Sequence, residues 1–156
     1  MFLGCQKNMM RREEDYLEAI YMLTKEKSSA RTTEIADYLN IKPASATEML
    51  QKLSSKGLVN YKKYGRTTLT KKGYDIGKAV SESHYAIMEL LKMLQIPEDI
   101  ANKDACTMEH DLDPKTIEQI KKFVSFMKNC PKEMPLWMEH FKMYSEKGKF
   151  PQECEG

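Results

Sequence analysis

No stretch of the 156 residues comes near the ~18–20 consecutive apolar residues that a membrane-spanning helix needs, so a membrane protein is not expected. The opening MFLGCQKNMMRR has no apolar core of the kind a secretory signal carries. Its Leu-Gly-Cys likewise lacks the apolar region that precedes a lipoprotein cleavage site, and the chain is expected in the cytoplasm. The four cysteines, Cys5, Cys106, Cys130 and Cys154, include no CxxC pair, which argues against a zinc knuckle. In a reducing compartment they are expected as thiols. No internal repeat or low-complexity tract is present. Histidine is scarce, three in all, so each can be judged against its neighbours. Acid is missing between Lys52 and Lys72, where seven basic residues stand without an Asp or Glu.

What is there is an ordinary globular mixture, 41% apolar and 31% charged. The net charge of +2 hides a division. Residues 1–75 hold 14 basic and 9 acidic side chains, net +5, whereas residues 76–156 hold 11 and 14, net −3. A basic half joined to an acidic half points to a polyanionic partner for the first half only.

Periodicity predicts a mainly α protein. Residues 11–27 form a helical pattern with Leu17, Ile20, Tyr21 and Thr24 on one stripe, broken by Ser28 and Ser29. TTEIADYLN predicts a short helix capped by Thr32 or Thr33. Asn40 and Ile41 make a tight turn. Pro43 suits the first position of a third helix, and Gly57 stops it. LVNYKKYGRTTLT then reads as a basic hairpin. Three helices followed by a hairpin predict a winged helix-turn-helix over residues 1–72. A long helical pattern from Lys71 to Leu94 carries Val80, His84, Ile87, Leu91 and Leu94, with Gly73 and Gly77 weakening its start. Pro97 and Asp113-Pro114 open two more helices. Ile117, Ile120, Val124 and Met127 on the second exceed what a small monomer can hide, which predicts a homodimer. The helical domain is expected over residues 73–130, and 131–156 form a C-terminal extension with a last helix near 136–147.

A recognition helix presents its N-terminal residues to base edges. Here these are Lys42, Pro43, Ala44, Ser45, Thr47 and Glu48, small or polar as close approach requires. Ser45 and Thr47 can donate, the Ala44 methyl suits a thymine methyl, and Glu48 can accept from a cytosine amine. Lys62, Lys63, Tyr64 and Arg66 on the wing are expected on phosphates. The expected partner is double-stranded DNA with a palindromic operator, bound by a dimer. A helix-hairpin unit that packs on another protein is the alternative.

In DACTMEHDLD, Cys106, Glu109 and His110 stand at i, i+3 and i+4, one helix face. Metal centre, catalytic cluster and solvated surface are all open for that stretch alone. The MEH repeated at Met138-Glu139-His140 has Leu136 in place of the cysteine and reads as an ordinary helix face. His84 interrupts the apolar stripe of the long helix. Asp15 and Glu18 border the apolar face of the first helix, where carboxylates want a partner. Glu13 and Glu14 are expected to be solvated.

EDYLEAIYML, KPASATEMLQKLSSKGLV, LTKKGYDIGKAV and DACTMEHDL together resemble the diphtheria-toxin-repressor family of metal-dependent transcriptional repressors, from about Glu13 to about Lys128. The resemblance implies metal ligands at Asp15, His84, Cys106, Glu109 and His110, and in the manganese-sensing branch also at Glu18. Asp15 with Glu18 looks like the manganese branch, and Cys106 like the iron branch. Met88 and Asn102 occupy positions of the iron branch's second metal site. Too few residues follow Lys128 for an SH3-like domain, and Cys130 and Cys154 are expected to be structural thiols.

These readings converge on a repressor of metal-uptake genes whose co-repressor is a divalent metal. Thiolate, imidazole and carboxylate suit Fe(II), Co(II), Ni(II) or Zn(II) better than Mn(II), and Fe(II) is the expected one. A manganese-responsive repressor comes next, then a metal-independent winged-helix regulator. A metalloenzyme is the remote alternative, because Cys106 and His110 on one helix turn, without a Gly-rich loop, give a nucleophile no oxyanion site.

Overall fold

The computed structural model describes residues 4–25, 27–63, 65–130 and 135–151, with side chains from residue 11 onward. Tyr64, Pro131, Cys154 and the side chain of Cys5 lie outside the described residues. Among the described residues, seven helices and a small sheet form two compact units, Met1–Glu82 and Ser83–Gly156. None of the described helices is long and apolar enough to cross a membrane.

In the first unit, α1 (Gly4–Thr24) begins well before the Arg11 expected from periodicity. It ends where the Thr24 hydroxyl donates back to the Ile20 carbonyl at 2.7 Å. Then β1 (Ala30–Arg31), α2 (Thr32–Tyr38) and α3 (Pro43–Ser55) follow. α2 is not capped by Thr32 or Thr33. Its first helical residue is Thr32, and the Glu34 carboxylate reaches back to accept from the Arg31 backbone N–H at 2.7 Å, satisfying one of the orphan donors of the helix start. Asn40 adopts φ 52° in the turn and Gly57 φ 67° beyond α3, both in the left-handed region that a tight reversal needs.

The hairpin is β2 (Val59–Asn60) against β3 (Arg66–Leu69), antiparallel with Val59 opposite Leu69. The sheet has a third member: β1 pairs with the other edge of β3, Ala30 opposite Thr67, which gives the order β1-β3-β2. Leu17, Ile20, Ile35, Leu50, Leu53 and Thr67 are fully buried and unite the three helices and the sheet in one core.

Glu13 is not solvated. It is buried and accepts from Lys56 at 2.6 Å and pairs with Lys52 at 3.0 Å, which ties α1 to α3. Burial pushes its carboxyl up, but the bonds and charges of Lys56 and Lys52 outweigh burial and hold it below the ordinary 4.5. A carboxyl depressed by folding contributes stability above its ordinary pKa, and that contribution drains away as pH falls through the folded value. The acid limb of a stability-versus-pH curve should therefore flatten in Glu13→Gln, measured by urea denaturation between pH 3 and 6. An unchanged limb would show that the ion pair carries no net stability.

α4 (Lys71–Met93) runs from the first unit into the second without a break. Gly73 and Gly77 do not weaken its start; they admit neighbouring backbone. A Cβ at Gly73 would lie 1.9 Å from the Leu58 carbonyl oxygen, and one at Gly77 2.5 Å from that of Leu17.

The second unit adds α5 (Glu98–Asp111), α6 (Pro114–Asn129) and α7 (Leu136–Lys147). Ile87, Leu91, Ala101 and Ala105 form its core, with Ile120 packed against it. Lys128 on α6 bonds Glu89 and the Tyr85 hydroxyl on α4, each at 2.6 Å. The α6 stripe expected at a subunit interface turns partly inward: Val124 is buried and Ile117, Ile120 and Met127 are half-buried. The apolar groups left outside on α6 are instead Phe123 and Phe126, 41% and 58% exposed. No residue of α7 is buried, His140 is half-buried there, and Leu136 and Trp137 are exposed.

Candidate DNA-reading face and metal centre

The start of α3 is the exposed end of the first unit. Lys42, Pro43, Ala44, Ser45 and Glu48 are exposed, whereas Ala46, on the opposite face, is fully buried. Thr47 is half-buried, and its hydroxyl donates to the Pro43 carbonyl at 3.0 Å. That bond leaves the oxygen's lone pairs as acceptors toward a base or a bridging water. On the wing, Lys62, Lys63 and Arg66 are exposed.

Members of both groups, Pro43 and Thr47 from α3 and Lys63 and Arg66 from the wing, line one concavity of about 590 Å³ with Arg31, Thr32, Thr33, Tyr61 and Gly65. Three of the lining residues are cations and none is acidic. Arg31, Thr32, Thr33 and Tyr61 were missed by sequence reasoning. Only the pairing of β1 with β3 brings Arg31 opposite Arg66, and a two-residue strand leaves no periodic signal. The basic run from Lys52 to Lys72 is also not a single footprint, because Lys52 and Lys56 are spent on Glu13 inside the unit.

Arg31→Ala, Lys63→Ala and Arg66→Ala should each weaken binding to all DNA sequences alike and lower the salt slope by about one, as loss of a phosphate contact does. Thr47→Ala should change sequence preference instead. Fluorescence anisotropy on matched and scrambled duplexes at several salt concentrations separates the two behaviours. A sequence-dependent loss at Arg31 would place it on a base.

In the second unit, α4 supplies His84 and α5 supplies Glu109 and His110. His84 Nδ1 lies 2.9 Å from Glu109 Oε2, and His110 Nε2 lies 3.2 Å from Glu109 Oε1. The Glu109 and His110 side chains are 1% and 3% exposed. Ala101, Ala105 and Glu109 recur every four residues on the buried face of α5, which is why the carboxylate is carried inside. Glu109 Oε1 has no hydrogen-bond partner among the described residues, although His110 Nε2 is within ion-pair distance. An orphaned buried carboxylate oxygen facing an imidazole nitrogen is costly unless a cation or a proton stands between them.

Each nitrogen–oxygen pair fits an ion: two cis ligands at ~2.1 Å stand about 3 Å apart, as His84 Nδ1 does from Oε2 and His110 Nε2 from Oε1 of the same carboxylate. At 2.9 Å the His84–Glu109 contact needs a proton between Nδ1 and Oε2. A divalent cation would take that proton's place.

Cys106, one turn earlier on α5, is an exposed thiol, as is Cys130. Asp15 and Glu18 are half-buried on α1 of the first unit, beside Tyr16, Leu17 and Ala19. The structure thus gathers His84, Glu109 and His110 and leaves Cys106 at the surface.

Residues 8–66 match the family described as "Iron dependent repressor, N-terminal DNA binding domain", and residues 70–138 match its "metal binding and dimerisation domain". An uncharacterised HTH-type transcriptional regulator of Methanocaldococcus jannaschii is 41% identical over 118 residues, covering 74% of this chain and 94% of that protein. The HTH-type transcriptional regulator MntR of Bacillus subtilis is 37% identical over 113 residues, covering 72% and 80%. Among solved structures, T. acidophilum IdeR superposes with a TM-score of 0.63 at 25% identity, over 79% of this chain and 58% of that one. The manganese regulator SloR gives 0.64 at 29%, over 76% and 56%. The chain therefore spans somewhat over half the length of these two solved proteins.

Proposed function

Because the chain belongs to the iron-dependent repressor family, and is therefore a metal-dependent transcriptional repressor with a DNA-binding and a dimerisation domain, not an enzyme, we propose that it acts in the cytoplasm on metal-uptake genes with Fe(II) as co-repressor. The observation that carries the metal reading is Glu109, a buried carboxylate flanked by His84 and His110 with one oxygen left orphaned. The ion, when bound, supplies the charge that lets these lone pairs converge. His84, Glu109 and His110 form the pre-arranged part of the donor set. Cys106 would join it from one turn earlier on α5. Asp15 and Glu18 on α1 are assigned to the same role by the family resemblance alone.

Lys42, Ser45, Thr47 and Glu48 at the exposed end of α3 would read base edges of a palindromic operator, with Pro43 and Ala44 allowing close approach. Arg31, Lys62, Lys63 and Arg66 would fix the register on phosphates. Phe123 and Phe126, exposed on α6 inside the dimerisation match, are apolar groups that a second subunit would cover.

The thiol of Cys106 favours Fe(II), because thiolate prefers it, with Co(II), Ni(II) and Zn(II), to Mn(II). Manganese is the second reading. It is favoured by the exposure of Cys106 outside the buried cluster, and by relatives that are named MntR or described as a manganese regulator. The cobalt derivative decides between them. The wild type should show a thiolate-to-cobalt charge-transfer band, and Cys106→Ala should lose it together with affinity for every metal. Cys106→Glu should also lose the band but respond to Mn(II) at lower concentration. A wild type without the band removes Cys106 from the ligands and leaves the manganese reading standing.

A further inference from the structure

His84 is held from both sides. Its Nδ1 faces Glu109 Oε2, and its Nε2 faces Asn102 Oδ1, each at 2.9 Å. Asn102 and Glu109 are seven residues apart on α5, two turns along one face, so a single helix brackets the ring. We propose that Asn102 is a positioning residue for the metal centre, accepting from His84 Nε2–H so that Nδ1 is the nitrogen presented to the ion. This rests on the reading of His84 as a ligand.

The two brackets differ in kind. Glu109 is a buried carboxylate with an orphaned oxygen, beside His110. Asn102 is exposed on α5 and carries no charge. A cation therefore gains most on the Glu109 side, and with a cation there the ring's one remaining proton belongs on the Asn102 side. A neutral imidazole has one N–H and one lone pair, and the partner of one nitrogen decides the role of the other. An amide oxygen at Nε2 keeps the N–H there and also fixes the ring plane. The lone pair of Nδ1 then points where Glu109 Oε2 already points. With an ion held by Nδ1, the proton between Nδ1 and Glu109 would be absent and His84 would keep its Nε2–H···Oδ1 bond. Partners of this kind behind a ligating histidine are worth about 10- to 100-fold in metal affinity. The exposure of Asn102 puts the expectation near about tenfold.

The probe is ¹¹³Cd(II) alone, added to the ¹⁵N-histidine-labelled full chain. In the wild type the cadmium should couple to Nδ1 of His84, with the proton on Nε2. Asn102→Leu removes the acceptor and should lower cadmium affinity about tenfold, with coupling lost or divided between the two nitrogens. Asn102→Asp restores an acceptor and should bring back both the Nδ1 coupling and the affinity. A merely structural role for Asn102 would not move the coupling from one nitrogen to the other, nor be rescued by Asp. Wild-type coupling at Nε2 overturns the proposal, as does an Asn102→Leu chain that keeps wild-type coupling and affinity. Cadmium bound with coupling to His110 but none to His84 overturns the ligand reading of His84 itself.

Discussion

Adding chelator to the purified protein should lower its affinity for a palindromic operator by about a hundredfold. A ligand that binds one conformational state and not another, at 100 times its dissociation constant, contributes about 2.7 kcal/mol, and that is a factor of about a hundred in the equilibrium. Without the ion, Glu109 keeps its orphaned oxygen. The conformation that the ion favours then loses that stabilisation. Binding at metal saturation should also fall steeply with salt if Arg31, Lys62, Lys63 and Arg66 meet phosphates as proposed. Anisotropy titrations with Fe(II), held anaerobic, and with chelator measure the difference directly. Equal affinity in excess chelator would leave a winged-helix regulator indifferent to metal.

Among the described glycines, Gly73→Ala should be the most damaging substitution. The new carbon would stand 1.9 Å from the Leu58 carbonyl oxygen, and backbone cannot swing aside as a side chain can. Overpacking of this severity belongs at the upper end of its range, about 3 kcal/mol. For a chain of this length that is a fall in Tm of roughly 10 °C. Gly77→Ala, at 2.5 Å from the Leu17 carbonyl, should follow it. Gly57→Ala is the comparison. It meets nothing within 4 Å and suffers only from its φ of 67°, a cost of about 1 kcal/mol. Thermal denaturation of the three variants ranks them. A Gly73→Ala chain no less stable than Gly57→Ala would mean that α4 does not pass so close to Leu58.

Elements with local punctuation were legible in the sequence. Pro43 and Gly57 bracket α3, and Asn40 marks the reversal before it, because each satisfies a backbone requirement within a few residues. What escaped depends on partners far along the chain. β1 exists only because β3 lies beside it, and Arg31 lines the DNA face only through that pairing. Glu13 looked like any acid near a helix start, and its burial comes from two lysines some forty residues on. The glycines of α4 looked like weak points because propensity is local and close helix packing is not. In the metal centre, the spacing of Cys106, Glu109 and His110 was visible, and His84 stood out as a polar break in an apolar stripe. In the fold Glu109 is buried and Cys106 is exposed, although they share one helix face. Asn102 was noticed only as the absence of a ligand; its hydrogen bond to the ring could be found only by locating α5 beside α4.

The strand order β1-β3-β2 anchors the wing on both sides. Its returning strand is the middle of the sheet, held by Ala30 and Arg31 on one edge and by Val59 and Asn60 on the other. The buried Thr67 pins it from beneath. A protease that clips the exposed Lys62–Lys63 bond would therefore sever the chain without releasing either piece. The downstream fragment would stay docked through β3 and through the glycine face of α4 against α1. The wing can lose its covalent continuity and keep its place, much as a zipped seam survives a cut thread.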